Sequence, residues 1–179
     1  GEIDVRVQPS KLSALHLCER GLPLSQQAFA LTAGLAPSVG VRELERVAQR
    51  LNMASAELNT VILDPACGPG NVLLLEYAFE HVTEVFSAFG QASLRSEKVA
   101  DAAIDQATDW LHSGAAVAEH LADQLLLPMV LAGGGSFTTP RMTEHLHSNI
   151  LVIERFVPIT IQCEEEGADR LRVEVRTKE

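Results

Sequence analysis

The stretch Ala115–Leu131 is apolar almost all the way around the circumference of a helix. A helix with no polar face must be buried, so this stretch predicts a central helix with the rest of the chain packed around it, ended by Gly133–Gly135. Two further helices carry single apolar stripes. One spans Val41–Met53, capped by Ser38, with Val41, Leu44, Val47 and Leu51 on its inner face. The other starts at Ser96, presents Val99, Ala103, Ile104, Ala107 and Leu111, and breaks at Ser113–Gly114. A short fourth helix, Ile150–Phe156, can be capped by Ser148 or Asn149. Strands are predicted at residues 2–8, where Ile3, Val5 and Val7 share a face and Pro9 ends the run, then at Leu15–Cys18 and at Ala28–Leu35, closed by Pro37. The β-branched run Thr60–Leu63 and the apolar segment Val72–Phe79 flank a turn cluster at Asp64–Asn71. Ile159–Cys163 and Leu171–Val175 form a hairpin about a turn at Glu164–Asp169. Helices and strands mix without strict βαβ alternation, so the class is α+β.

With 179 residues and an apolar fraction of 46%, the chain can bury a real core. Aromatics are only 4%, so that core must be built from Leu, Val, Ala and Ile. No apolar run approaches the roughly 20 residues needed to cross a bilayer. The opening Gly1–Val7 lacks the features of a signal peptide. We therefore expect a soluble, cytoplasmic protein with no membrane partner. Cys18, Cys67 and Cys163 lie far apart, are odd in number and lack zinc-ligand spacing, and are expected to be buried free thiols. A net charge of −10 argues against a stand-alone nucleic-acid-binding module, unless another segment supplies the cations. The chain also opens directly in a strand pattern, as a piece of something longer would.

Three motifs could carry chemistry. Leu63-Asp-Pro-Ala-Cys-Gly-Pro-Gly-Asn71 resembles the first motif of adenine-N6 methyltransferases, but that motif needs a helix after its glycine loop and Val72–Phe79 reads as a strand. A turn with Gly68 and Gly70 at unusual dihedrals is the plainer reading. In Glu119-His-Leu-Ala-Asp-Gln124, Glu119 shares a helical face with Asp123, and His120 with Gln124. This is either a solvated stripe or, given the glycine run that follows, a ligand-facing edge. In Glu144-His-Leu-His-Ser-Asn149, His145 and His147 would share one side of an extended segment and suit a metal pair, although no third or fourth ligand is evident. A largely neutral imidazole at neutral pH can also attack an electrophilic phosphorus.

Taken together, Glu119–Met129, Leu131–Phe137, His145–Ile150 and Val152–Phe156 resemble, in order and spacing, the C-terminal part of RNA 3'-terminal phosphate cyclases. The resemblance extends more weakly back through Gly68–Asn71 and Ser38–Leu51 to the first strand, and covers about half of the family's protein. It implies a fold of βαβαββ units like the C-terminal domain of translation initiation factor three, with a small α+β insert in the last unit. Residues 1–18 and 114–179 would belong to the main body, and residues 19–113 to the insert.

The resemblance also implies a chemistry. A histidine attacks the α-phosphate of ATP and holds AMP, AMP passes to an RNA 3'-phosphate, and the neighbouring 2'-OH displaces it to leave a 2',3'-cyclic phosphate. The adenylated histidine falls on His145. The ATP-contacting segment falls on His120, Leu121, Ala122, Asp123 and Gln124, with His120 bordering the adenine. A divalent cation, Mg or Mn, is expected at the triphosphate, with no ligand set given by the sequence. The implied partners are RNA 3'-phosphate ends and the N-terminal half of the same enzyme, and a homo-oligomer is left open. The alternatives are a non-catalytic ribosome-assembly scaffold of the same fold, and the methyltransferase.

Overall fold

Two four-stranded sheets, each covered by two helices, make up the computed structural model, which describes residues 3–177. The first sheet has the order β1-β6-β8-β7, from Leu15–Leu17 (β1), Gly134–Thr139 (β6), Ile159–Glu165 (β7) and Leu171–Thr177 (β8). In it β1 runs parallel to β6, while β6–β8 and β8–β7 are antiparallel. The second sheet has the order β3-β2-β4-β5, from Pro23–Ala33 (β2), Leu58–Leu63 (β3), Gly70–Phe79 (β4) and Thr83–Phe89 (β5). Here β2 and β3 are parallel and the other pairs antiparallel. The α+β class is as expected.

Helices α1 (Ser38–Leu51) and α2 (Ser96–Ser113) pack on each other and on the second sheet. Helices α3 (Glu119–Leu131) and α4 (Glu144–Phe156) do the same on the first. One continuous core joins the two, centred on Trp110, Phe137, Leu73, Leu75 and Ile104, all at most 1% exposed. Arg20 crosses between them. Its guanidinium donates to the carbonyls of Trp110, Leu111 and Ala115, and lies over the Trp110 ring at 3.8 Å. A cation on the last carbonyls of α2 complements the negative end of that helix.

The structure corrects several sequence expectations. Residues 3–8 form no strand, and Ile3, Val5 and Val7 are 71–88% exposed; residue 2 of that segment lies outside the described residues. Alternation supplies a face, but a strand also needs a neighbour, and this segment has none among the described residues. Ser38 is inside α1 and makes no capping bond; Pro37 precedes it, and the buried face of the helix is Gly40, Glu43, Leu44 and Val47, with Val41 exposed. The central helix begins at Glu119, and Ala115–Ala118 form a buried extended strap instead. Their amides are already used: Ala116 and Val117 donate to Thr138, and Ala118 to Glu84. Nor is α3 apolar because it is enclosed, since Leu127 and Leu131 are 53% and 69% exposed. The fourth helix starts six residues early, at Glu144, capped by Thr143, whose hydroxyl accepts the Leu146 amide at 3.1 Å. Strand β5 was not anticipated. Cys18 is half-buried and Cys163 exposed, so these free thiols are not core residues.

The glycine run does more than stop α3. Gly134 and Gly135 open β6 with φ of 138° and 145°, and a Cβ on Gly135 would lie 2.3 Å from the Leu15 carbonyl oxygen. Only glycine lets β1 approach there.

Candidate active site

Both α3 and α4 start at the same end of the first sheet. The strap before α3 is held by Thr138 at the end of β6, and β6 leads through Pro140 and Arg141 into the Thr143 cap of α4. Arg141 Nε reaches Glu119 Oε1 at 2.5 Å, tying the two helix starts together. His120 and Asp123 share a face of α3, as His145 and Asn149 share a face of α4. The Asn149 side-chain amide donates to the Asp123 carboxylate, so these two faces meet. Asp123 and Asn149 thus form a seam between α3 and α4, and His120 and His145 each lie about one turn toward the helix N-terminus from it.

His145 lies in the first turn of α4, exposed, with its carbonyl accepting from Ser148 Oγ at 3.1 Å. Amides of a first helical turn have no partner within the helix, which makes this end a favourable place for a phosphate. His147 does not join it: on a helix, residues two apart point to opposite sides, so the extended geometry that would pair the imidazoles on a metal is absent. No group of three or more potential metal-ligating His, Cys, Asp or Glu side chains converges among the described residues. Along the α3 segment, His120 and Gln124 are exposed, Asp123 and Leu121 half-buried, and Ala122 fully buried in the core. The Gly68–Asn71 turn runs straight into β4, so no helix N-terminus stands behind it to receive a methyl-donor cofactor.

Beside the seam lies a cleft of about 180 Å³ whose walls include Glu84, Phe86, Trp110, Ala118, His120 and Arg141. Glu84 is 5% exposed; one carboxylate oxygen accepts the Ala118 amide at 2.6 Å, directly before α3. Burial pushes its pKa up to about 7, against the opposing pull of the Ala118 bond and the Arg20 charge. Sequence reasoning missed this residue with its strand. The signal was there: Val82, Glu84, Phe86 and Ala88 alternate with exposed neighbours, which places a carboxyl in the apolar register of a half-buried strand.

Fold and site together define a two-sheet α+β protein with an exposed imidazole at a helix N-terminus, next to a largely apolar cleft containing a buried carboxyl. The family model for RNA 3'-terminal phosphate cyclase matches residues 1–163, and the chain belongs to that family. It is 63% identical over 97% of its length to an RNA 3'-terminal phosphate cyclase of Pseudomonas fluorescens, covering 51% of that protein. It is 54% identical over 98% of its length to one of Ectopseudomonas mendocina, and 45% identical over 98% to one of Ralstonia nicotianae, covering 52% and 51% of them. The chain therefore spans about half the length of these relatives. No helix among the described residues is long and apolar enough to cross a membrane.

Proposed function

We propose that this chain is the C-terminal half of a cytoplasmic, ATP-dependent RNA 3'-terminal phosphate cyclase and carries its nucleophile, His145. The observation that carries the reading is the seam: an exposed imidazole in the first turn of α4, joined through Asn149–Asp123 to the α3 face that bears His120. In this reading the adenosine end of ATP occupies the cleft beside His120, and Asp123 and Gln124 supply polar contacts. The imidazole nitrogen of His145 attacks the α-phosphorus and the bond to the β-phosphate breaks, with pyrophosphate leaving. The resulting AMP passes to an RNA 3'-phosphate, and the adjacent 2'-OH then displaces it to close the 2',3'-cyclic phosphate. The first-turn amides of α4 that the Thr143 cap does not take favour the negative charge on the phosphate during attack. A divalent cation would neutralise triphosphate charge. The described residues offer it no cage, so phosphate oxygens and other parts of the enzyme would have to hold it.

Residues 1–18 and 114–179 are assigned to the main body, and residues 19–113 to an insert. The partition of strands supports this, since β1 and β6–β8 make one sheet and β2–β5 the other. The other half of the enzyme has a natural seat. Leu127, Leu131, Val152 and Phe156 expose 53–85% of their surface at i,i+4 spacing on α3 and α4, and Ile3, Val5 and Val7 offer an unpaired apolar alternation. That half would also bring the cations an RNA substrate needs, which a chain of net charge −10 lacks in excess.

Incubation with α-labelled ATP and Mg or Mn, with and without the missing half, tests the reading. Acid-labile, alkali-stable label on this chain that disappears in His145→Ala is the expected result. No label on the reconstituted protein would sink the nucleotidyl-transfer reading and favour a ribosome-assembly scaffold of the same fold.

A further inference from the structure

The cleft beside His120 contains one carboxyl whose position is fixed and whose second oxygen is uncommitted. Glu84 is 95% buried by its neighbours yet lines the cleft, and one of its oxygens is taken by the Ala118 amide. The other oxygen has no hydrogen-bond partner among the described residues, and it is not among the fully enclosed unpaired atoms. Phe86 and Trp110, whose rings pack on each other with centroids 5.5 Å apart, are also among the residues that line the cleft and make part of its wall apolar. Every other carboxyl on the walls sits on the more exposed surface: Asp109 and Glu119 are drawn to Arg141, and Asp105 to Arg50.

We propose that Glu84 reads the edge of the nucleobase, accepting a hydrogen bond from the 6-amino group of a purine and so selecting adenine over 6-oxopurines. This rests on the reading above that the cleft takes the adenosine end of the nucleotide. The chemistry is directional. Adenine presents a donor at position 6, whereas guanine and hypoxanthine present an acceptor that would face a lone-pair-bearing oxygen. A carboxyl tethered by Ala118 cannot turn away to solvent without giving up that bond, so a mismatched base leaves a buried polar pair unsatisfied. Sites built this way discriminate far better than apolar pockets do. The tether has a second consequence: Glu84 lies in β5 of the second sheet and bonds the residue that starts α3, so base reading and placement of His120 are mechanically linked.

The test is equilibrium binding of ATP, ITP and purine-riboside triphosphate to this chain joined to the part of the Pseudomonas fluorescens relative that it does not cover. Self-labelling at His145 is followed in parallel. The wild type should bind ITP and purine-riboside triphosphate at least about tenfold more weakly than ATP, which corresponds to about 1.4 kcal/mol. Glu84→Gln keeps an oxygen for Ala118 and turns an amide donor toward the base, so it should lose ATP affinity and gain ITP affinity, with an unchanged circular-dichroism spectrum. Equal binding of the three nucleotides by a wild type that labels normally overturns this inference and leaves the proposed function standing. An unchanged ATP-to-ITP ratio in a folded Glu84→Gln protein does the same. Absence of both nucleotide binding and label would overturn the two readings together.

Discussion

The two halves of the molecule solve the same packing problem, two helices on four strands, and finish it differently. On the second sheet, α1 and α2 bury their apolar faces and lace their outer edges with ions: Arg46 and Arg50 both bond Asp101, and Arg50 also bonds Asp105. On the first, α3 and α4 leave Leu127, Leu131, Val152 and Phe156 in solvent and spend their polar positions on the seam of His120, Asp123, Asn149 and His145. The β2–β5 unit exposes its large apolar residues mainly on strands, Leu24, Ile62 and Phe89 among them, and the other exposes them on its helices. The candidate chemistry lies on the helices of that other unit, where Glu84 reaches across from β5 to the start of α3. Function and stability are therefore separable by residue, and substitutions can show how cleanly.

The largest expected effect is at His145. His145→Ala should abolish AMP attachment, with a loss of at least about a thousandfold, because the neighbouring His147 points to the other side of α4 and nucleophile deletions cost this much. Its ring is exposed, so the thermal midpoint should stay within the change typical of a surface substitution. Label that persists in the variant would move the nucleophile elsewhere, with His120 the first candidate. A large drop in melting temperature would show that the seam is structural after all.

Arg20 reverses that pattern. Arg20→Met keeps an apolar stem but takes the guanidinium off the Trp110 ring and strands the carbonyls of Trp110, Leu111 and Ala115. The expected cost is about 3 kcal/mol of unfolding free energy, measured by urea titration. Label at His145 in the fraction that remains folded should survive, since Arg20 touches neither α3 nor α4. A variant as stable as the wild type would show that the joint between the sheets is held by the apolar core alone.

Much of this was legible in the residues and some was not. The stripes of α1 and α2, the terminal hairpin and the strand after Gly68–Asn71 follow from periodicity, because each buries a face against its own neighbours. Two kinds of information do not appear in local pattern. One is where a backbone amide goes: Ala115–Ala118 looks helical in composition, and the Thr138 and Glu84 bonds make it a strap. The other is whether an apolar face has a partner. Residues 3–7 read as half-buried and are exposed, and α3 reads as buried all round and yet leaves Leu127 and Leu131 in solvent. The roles of the histidines came from resemblance, and the helical setting of His145 only from the Thr143 cap. Glu84 and Glu43 were visible only as carboxyls sitting in apolar registers.

Glu43 sharpens the comparison through pH. It is fully buried on α1; one oxygen accepts from Asn71 and the other has no partner among the described residues. Burial raises its pKa from 4.5 to about 7, opposed by the Asn71 bond and the Arg42 charge. The folded protein thus holds a proton that the unfolded chain has already released between these two values. Stability falls as pH rises through that window and levels off above about 7, by on the order of 3 kcal/mol for this group. Glu84, raised to about 7 by the same cause, adds a decline of the same sign. Glu43→Gln should flatten part of the decline between pH 5 and 8 in chemical denaturation, leaving the Glu84 share. An unchanged slope would mean that water or a backbone shift relieves the buried carboxylate.

The smallest effect should come from the ion lacing of α1 and α2. Arg50→Ala removes the bonds to Asp101 and Asp105 but leaves Arg46 on Asp101 at 2.7 Å. These pairs are partly exposed, and the attraction gained is offset by side-chain ordering and screened by salt, so the loss should stay below about 1 kcal/mol. Asp101, whose pKa is lowered by its Arg46 and Arg50 bonds, should move part of the way back toward its ordinary value in the variant, which carbon-detected NMR titration can follow. Raising salt on the wild type should reproduce most of the variant's loss. If Arg50→Ala cost several kcal/mol and salt did not mimic it, the helix pair α1–α2 would depend on a cooperative charge network. The contrast would then lie between helices held by ions on one side and helices with exposed apolar faces on the other.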